Sequence, residues 1–190
     1  MMRGKNITLR TVRETDLDTL YTALSDLASR GDYFPLHLVS EAAFKRDFHE
    51  HGFWSNDFGR LLICDLDERL LGSIWYFQAV RYYDGLEIGY HLFDVGSRNT
   101  GVMTEALSVL THYLFAARKI NRLQLAIMRP NAASKRVAEK CGFTFEGVAR
   151  GALFHRGANH DLEIYALVRQ DLLSSEAPYM HVSSTGGAGL

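Results

Sequence analysis

The sequence predicts an α+β protein, one mixed central sheet with helices on both faces. Three observations carry that expectation. Apolar residues switch repeatedly between a period of two and a helical period, giving the order β-α-α-β-β-β-α-β-α-β-β. A length of 190 residues suits one domain that buries about two-thirds of its unfolded surface. The composition, 47% apolar and 23% charged, is that of a soluble globular chain. One domain is expected over residues 1–173, followed by a flexible Ser- and Gly-rich tail over 174–190.

Ile7-Thr8-Leu9-Arg10-Thr11 alternates as the first strand. Thr15 and Asp18 have the spacing of a capping box, and Leu17, Leu20, Tyr21, Leu24 and Leu27 share one helical face. Pro35 interrupts the pattern before Ser40 caps a second helix carrying Phe44 and Phe48. Strands over 61–65 and 70–77 flank the charged turn Asp67-Glu68-Arg69. Asp84-Gly85 predicts a tight turn with positive φ ahead of a strand over 86–93. A long helix begins near Val102, with Leu107, Leu110, Leu114 and Ala117 as its buried stripe. Leu123, Leu125 and Ile127 alternate as the next strand. Asn131 and Gly142 are natural N-cap and C′ residues for the helix between them. Strands around 143–149 and 162–168 complete the order.

The polar turn Asp94-Val95-Gly96-Ser97-Arg98-Asn99-Thr100-Gly101 leads into the long helix. The first N–H groups of a helix lack intrahelical partners and carry the positive end of its dipole, so such a turn can hold a phosphate. Gly101, lacking Cβ and tolerant of positive φ, lets a ligand come close. Alone, Arg98-x-x-Gly101 is a weak signal that fits an ordinary strand-to-helix turn better. In combination the signal is more specific. Glu87-Ile88-Gly89-Tyr90, Arg98-x-x-Gly101-x-Met103-Thr104-Glu105-Ala106-Leu107, Asn131-x-x-Ser134 and Glu139-Lys140-x-Gly142-Phe143 stand in one order. Gly151-Ala152-Leu153-Phe154, His160-Asp161 and Tyr165-Ala166-Leu167 follow them.

Together these residues resemble the GNAT superfamily of acyl-CoA-dependent N-acetyltransferases, in its RimJ/RimL branch, over roughly residues 5–172. The resemblance implies a GNAT-like fold whose fourth and fifth family strands splay apart. Pantetheine would then bond the unpaired backbone as an added strand. It implies acetyl-CoA as co-substrate. Leu92 and Phe93 would lie at the splay, Arg98, Asn99, Thr100, Gly101, Val102, Met103 and Thr104 around the pyrophosphate, and Asn131 and Ser134 beside pantetheine and sulfur. Two departures stand out: Met103 replaces the Gly or Ala preferred across the superfamily, and the stretch from Glu87 to Arg98 is one residue longer than the pattern.

Amide formation from a thioester needs a neutral amine and a tolerable thiolate. An α-amine with a pKa near 8 is partly neutral already, whereas a lysine amine near 10.4 needs more help. Glu87 and His91 share one parity of the central strand with Gly89 between them, so either can take the proton if that face meets the acceptor. A structural ion pair for Glu87 and a space-filling role for His91 are the alternatives. Ser134 is the candidate donor to the leaving thiolate. Many superfamily members carry a tyrosine later in that helix, but here it reads Arg136-Val137-Ala138-Glu139, which leaves Ser134 or water. Asp26, Asp32, His155, His160 and Asp161 can line the acceptor site or decorate the surface.

A formal net charge of −1 gives no general reason to bind nucleic acid or membrane. Cys64 and Cys141 lack metal or CxxC spacing and sit in apolar contexts, as buried free thiols of a reducing compartment do. No ligand cluster suggests a metal. With no signal-peptide core and no membrane-length apolar run, a cytoplasmic protein is expected. Transfer of acetyl to a primary amine, a protein N-terminus or a small molecule, is the leading activity. Transfer of another acyl group and a non-catalytic acyl-CoA-binding module are the alternatives, and a homodimer stays open.

Overall fold

A computed structural model of the chain describes residues 1–174. Its strands are β1 (Met2–Arg3), β2 (Ile7–Thr11), β3 (Phe58–Asp65), β4 (Leu70–Phe77), β5 (Gly85–Leu92), β6 (Arg122–Met128), β7 (Thr144–His155) and β8 (Ala158–Val168). The helices are α1 (Leu17–Ser25), α2 (Glu41–His51), α3 (Val102–Ala117), α4 (Ala132–Lys140) and α5 (Arg169–Ser174). One eight-stranded sheet runs in the order β1-β2-β3-β4-β5-β6-β8-β7. Among the described residues only β5 and β6 pair in parallel; every other neighbour is antiparallel. The expected mixed sheet and element order are present, and the structure adds the edge strand β1 and helix α5.

Period-two alternation divides the core. Leu61 and Ile63 of β3 join a core with α3 and α4, while Leu62 and Cys64 join a second core with α1 and α2. On α3, Met103, Ala106, Leu107, Leu110 and Leu114 are buried; Ala117, expected on that stripe, is the last residue of the helix and is exposed. Leu27 likewise lies beyond the end of α1 and is exposed.

Some local expectations change in mechanism. The cap of α1 is not built on Thr15: a short 3₁₀ turn over Glu14–Asp16 precedes the helix, and the Arg13 N–H donates to the Asp16 carboxylate at 2.7 Å. Arg10 grips the same carboxylate at 2.6 and 2.8 Å, so the box is built on Asp16 and braced by an ion pair, not on Thr15. Gly85 does not adopt positive φ, and the β4–β5 connection is a longer loop. A Cβ there would sit 2.6 Å from the Arg122 carbonyl oxygen, so this glycine serves the contact with β6. Asn131, Ser40 and Gly142 act as expected, the first two as side-chain caps and the third at φ +82°. β7 and β8 are longer than expected, forming one hairpin that reaches the α1–α2 connection. Ser174 is helical; the rest of the expected tail lies outside the described residues.

The feature that positions the site is the parting of β5 and β6. They pair only at Gly85–Arg122, Leu86–Leu123 and Glu87–Gln124. Beyond that, β5 stays on β4 through Leu92 and β6 stays on β8 through Met128. The facing edges of Ile88–Leu92 and Leu125–Met128 therefore have no ladder partner across the gap, an arrangement a backbone-like ligand satisfies.

Candidate functional site

On the α3/α4 side of the gap lies the turn into α3. The Asp94 carboxylate accepts from the Gly96 N–H at 3.0 Å and the Ser97 hydroxyl at 3.0 Å, and the Thr100 hydroxyl donates to the Ser97 carbonyl at 2.7 Å. Asn99 (φ +61°) and Gly101 (φ +92°) then take left-handed conformations. That pair makes a concave stretch of backbone, a shape suited to an anion. Gly101 is the N-cap of α3 and supplies no side chain; the first intrahelical bond is Glu105 N–H to its carbonyl at 3.0 Å. The Val102, Met103 and Thr104 N–H groups precede that bond and are the ones a phosphate would meet. Nothing lies within 4 Å of a Cβ built on Gly101, so the space above it is open. The Met103 side chain points into the core rather than the loop. Arg98 donates to the Ser29 carbonyl at 3.3 Å, tying the loop to the α1–α2 connection. Leu92 ends β5 beside the gap, and Phe93 follows it and packs toward the α1/α2 core.

The same side holds Ser134 in the first turn of α4, its N–H on the Asn131 side chain at 3.1 Å. Its hydroxyl meets the Tyr90 hydroxyl at 2.6 Å. Tyr90 comes from β5, so a tyrosine is present although α4 carries none. Burial pushes its phenol up to about 12, against the opposing pull of the Ser134 bond, so it is a neutral hydroxyl at neutral pH. The sequence reading missed Tyr90 as a site residue. Its position between Gly89 and His91, with the opposite parity to both, was the available signal.

On the other face, Glu87 and His91 do share a side of β5, but four residues of strand separate their Cα atoms by about 13 Å. Each is held by a different neighbour, Glu87 by Gln124 of β6 and His91 by Phe34 of the α1–α2 connection. The Glu87 carboxylate accepts from Gln124 Nε2 at 2.8 Å, and burial raises its pKa while that bond lowers it. Beside it is a cleft of about 10 Å³, lined in part by Tyr83, Arg122 and Gln124, which is room for one water. His91 is 8% exposed and stacked against Phe34 of the α1–α2 connection with centroids 4.3 Å apart, while Phe93 stands edge-on at 5.3 Å. Neither ring nitrogen has a hydrogen-bond partner among the described residues. Burial, with Arg98 and Arg30 nearby, drives its pKa down to about 4; the Arg30 backbone opposes this only partly.

The remaining candidates fall outside the gap. Asp26 accepts from the Ala28 N–H, Asp32 is exposed, and Asp161 accepts from the Gly151 N–H inside the β7–β8 hairpin. His155 is buried with its ring on the Asp32 carbonyl at 2.8 Å, and His160 meets the His155 carbonyl at 3.1 Å. His155 fastens the hairpin to the α1–α2 connection, and His160 braces it from within the hairpin. Cys64 and Cys141 are both free; Cys64 is buried and Cys141 half-buried, its thiol pushed up to about 12 by burial. Among the described residues no group of His, Cys, Asp or Glu gathers as a metal site, and no helix is long and apolar enough to cross a membrane.

A sheet parted at a parallel pair, beside a glycine-capped helix start, coincides with a family match. The acetyltransferase (GNAT) domain family matches residues 6–144. The chain belongs to the GNAT acetyltransferase family. Among GNAT relatives, the probable N-acetyltransferase YjcK of Bacillus subtilis is 28% identical over 179 residues, 90% of this chain and 98% of that protein. A spermidine N-acetyltransferase of Vibrio cholerae, solved with CoA and spermine, superposes with a TM-score of 0.79 at 18% identity, covering 90% of this chain and 99% of that one. RimJ of Mycobacterium smegmatis, in complex with a CoA disulfide, superposes with a TM-score of 0.72 at 22% identity over 87% of this chain and 83% of that one. As a GNAT N-acetyltransferase, the chain has the fold its sequence predicts. Its RimJ/RimL-like neighbours stand alongside a spermidine acetyltransferase, so more than one GNAT branch shares the geometry.

Proposed function

We propose that this GNAT enzyme transfers acetyl from acetyl-CoA to a primary amine by direct attack, with both substrates bound across the gap between β5 and β6. The observation that carries the reading is the parting of those strands next to the open N-terminus of α3. Pantetheine amides would bond the free edges of Ile88–Leu92 and Leu125–Met128, and the pyrophosphate would sit on the N–H groups of Val102–Thr104, with Arg98 able to turn from Ser29 to the phosphates.

On the amine side, Glu87 is the better base. Burial makes it more basic than an ordinary carboxylate, and the adjoining cleft lets one water carry the proton to it. A ring held at about 4 accepts protons poorly at neutral pH, so His91 shapes the acceptor wall rather than taking the proton. As the amine nitrogen bonds to the acetyl carbon, its proton passes to that water and another to Glu87. When the C–S bond breaks, the sulfur keeps the electron pair and is met by the Ser134 hydroxyl, which Tyr90 holds in place.

Kinship with the RimJ/RimL branch favours an α-amine, whereas likeness to the spermidine enzyme favours a polyamine. Release of CoA from acetyl-CoA should be detected with at least one member of a panel of amino acids, polyamines and N-terminal peptides. Acetyl-CoA itself should raise the melting temperature. Glu87→Gln should lower kcat by about a hundredfold with the acetyl-CoA KM unchanged. Unshifted melting at saturating acetyl-CoA would sink the donor assignment; full kcat in Glu87→Gln would remove Glu87 as the base.

A further inference from the structure

The α1/α2 layer does not cover its whole face of the sheet. Leu62 and Cys64 are sealed beneath it, but Arg60, Trp75, Phe77, Glu87 and Gly89, nearer the start of β5, keep part of their surface open. Pairing sets these residues in rows. Arg60 lies across from Trp75 and Trp75 across from Gly89; Phe77 lies across from Glu87 and Ser73 from His91. A Cβ on Gly89 would be 2.5 Å from the Trp75 indole, so the missing side chain lets that ring lie over β5. The Arg60 guanidinium carbon sits 4.8 Å from the Trp75 ring centroid, and its Nη1 donates to the Ser73 hydroxyl at 3.1 Å.

Arg60 differs from the other arginines around it. Arg30 is saturated by the carbonyls of Leu24, Pro35 and His37, and Arg10 is paired with Asp16. Arg60 makes no ion pair among the described residues, and its Nε and Nη2 have no hydrogen-bond partner there. Asp47 of α2, exposed and unpaired with it, is the acid whose charge reaches it. Burial outweighs that charge and pushes the guanidinium down to about 10. A set-in cation with a free planar edge, stacked on an indole, presents the donor geometry that a carboxylate fits bidentately. Its Cα stands about 12 Å from that of Glu87, two strands over and one row along on the same face of the sheet. The Glu87 carboxylate leans to Gln124 of β6 and the Arg60 guanidinium to Trp75 of β4, so the surface between them is that of Trp75 and Gly89.

We infer that Arg60 selects the acceptor, and that the acceptor is a free amino acid whose carboxylate it binds. The side chain of that amino acid would lie on Trp75 and Phe77, large and apolar or aromatic to match them. The amine would point to Gly89 and the water cleft of Glu87. A polyamine fits badly: its spaced cations would find Glu87 and then meet Arg60, with Asp26 occupied by a backbone N–H and Asp32 turned to solvent. The inference rests on the reading of this face as the acceptor side.

Matched acceptors test it. Wild-type kcat/KM should be at least about tenfold higher for L-phenylalanine than for phenethylamine or phenylalaninamide, with spermidine poorest, since only the first offers a carboxylate. Arg60→Gln, which can keep the Ser73 bond, should cut the phenylalanine value by about thirtyfold and move the phenethylamine value by less than about threefold. Equal use of phenylalanine and its decarboxylated partner, or an equal loss on both in Arg60→Gln, overturns the role of Arg60 while leaving an N-acetyltransferase. Binding supplies a second readout. In the presence of CoA, N-acetyl-L-phenylalanine should raise the melting temperature of the wild type and not of Arg60→Gln. That result without turnover of any amine would retain the carboxylate site and remove the transferase reading. No shift in either protein, with no preference in turnover, ends the proposal.

Discussion

The two faces of β5 solve opposite problems. Toward α3 and α4, polar groups are partnered before any ligand arrives: Tyr90 on Ser134, Asn131 on the α4 backbone, Asp94 on the turn. What is left open there is backbone, at the start of α3 and along the strand edges. Toward α1 and α2, the open groups are side chains: two orphan nitrogens on His91, a free edge on Arg60 and one oxygen of Glu87. A donor common to many enzymes can be bound by main chain, which any sequence supplies. An acceptor that varies must be read by side chains, whose polar atoms stay unsatisfied, at a cost of about 1–3 kcal/mol each when buried, until it binds.

The sharpest break of the backbone side is at Gly101. Its φ of +92° penalises every side chain, so a single Gly101→Glu variant mixes strain with charge. Gly101→Ala carries the strain alone. We expect Gly101→Ala to lower CoA affinity by about tenfold and Gly101→Glu by more than a hundredfold, because only the carboxylate opposes the pyrophosphate. Calorimetric titration of CoA into both folded variants measures the difference. Equal losses would mean that strain explains everything and no phosphate sits there.

On the side-chain face, His91 should make the fold sensitive to acid. Its folded pKa of about 4 lies below the unfolded value of 6.5, so the unfolded chain binds the extra proton in that window and stability falls as pH drops through it. Relative to His91→Phe, the wild type should lose about 2 kcal/mol between pH 7 and pH 5. Denaturant melts at both pH values give the double difference, which cancels any packing cost of the substitution. Parallel pH slopes would show that the ring is not held neutral by burial.

How much of this was legible in the sequence follows the same division. Gly101, Asn131 and Ser40 could be read because capping is chemistry within three or four residues of chain. Thr15 misled, since Arg10, six residues before Asp16, decides how α1 begins. The parity of Glu87 and His91 was correct, but parity does not show their partners, Gln124 of β6 for one and Phe34 of the α1–α2 connection for the other. Tyr90 and Ser134 are 44 residues apart and meet only because α4 packs over β5. Arg60 gave no sign at all: its lack of a carboxylate partner is a property of three adjacent strands, and no local pattern encodes it.

Tyr90 offers the finest test, because it asks whether one hydrogen bond on the closed face serves the reaction or only the packing. With its phenol near 12 it stays a neutral hydroxyl, 2.6 Å from that of Ser134, where either group can donate; with the tyrosine as donor, the Ser134 proton is left for the sulfur. Without it, the serine hydroxyl can turn back to a carbonyl of its own helix. Tyr90→Phe should therefore reduce kcat by about tenfold, the worth of one hydrogen bond, with the acetyl-CoA KM unchanged. Ser134→Ala should cost at least as much. If the tyrosine acts through the serine, the double variant should be no slower than Ser134→Ala alone. Additive losses would instead give the two hydroxyls separate roles, and a loss confined to melting temperature would make Tyr90 a packing residue.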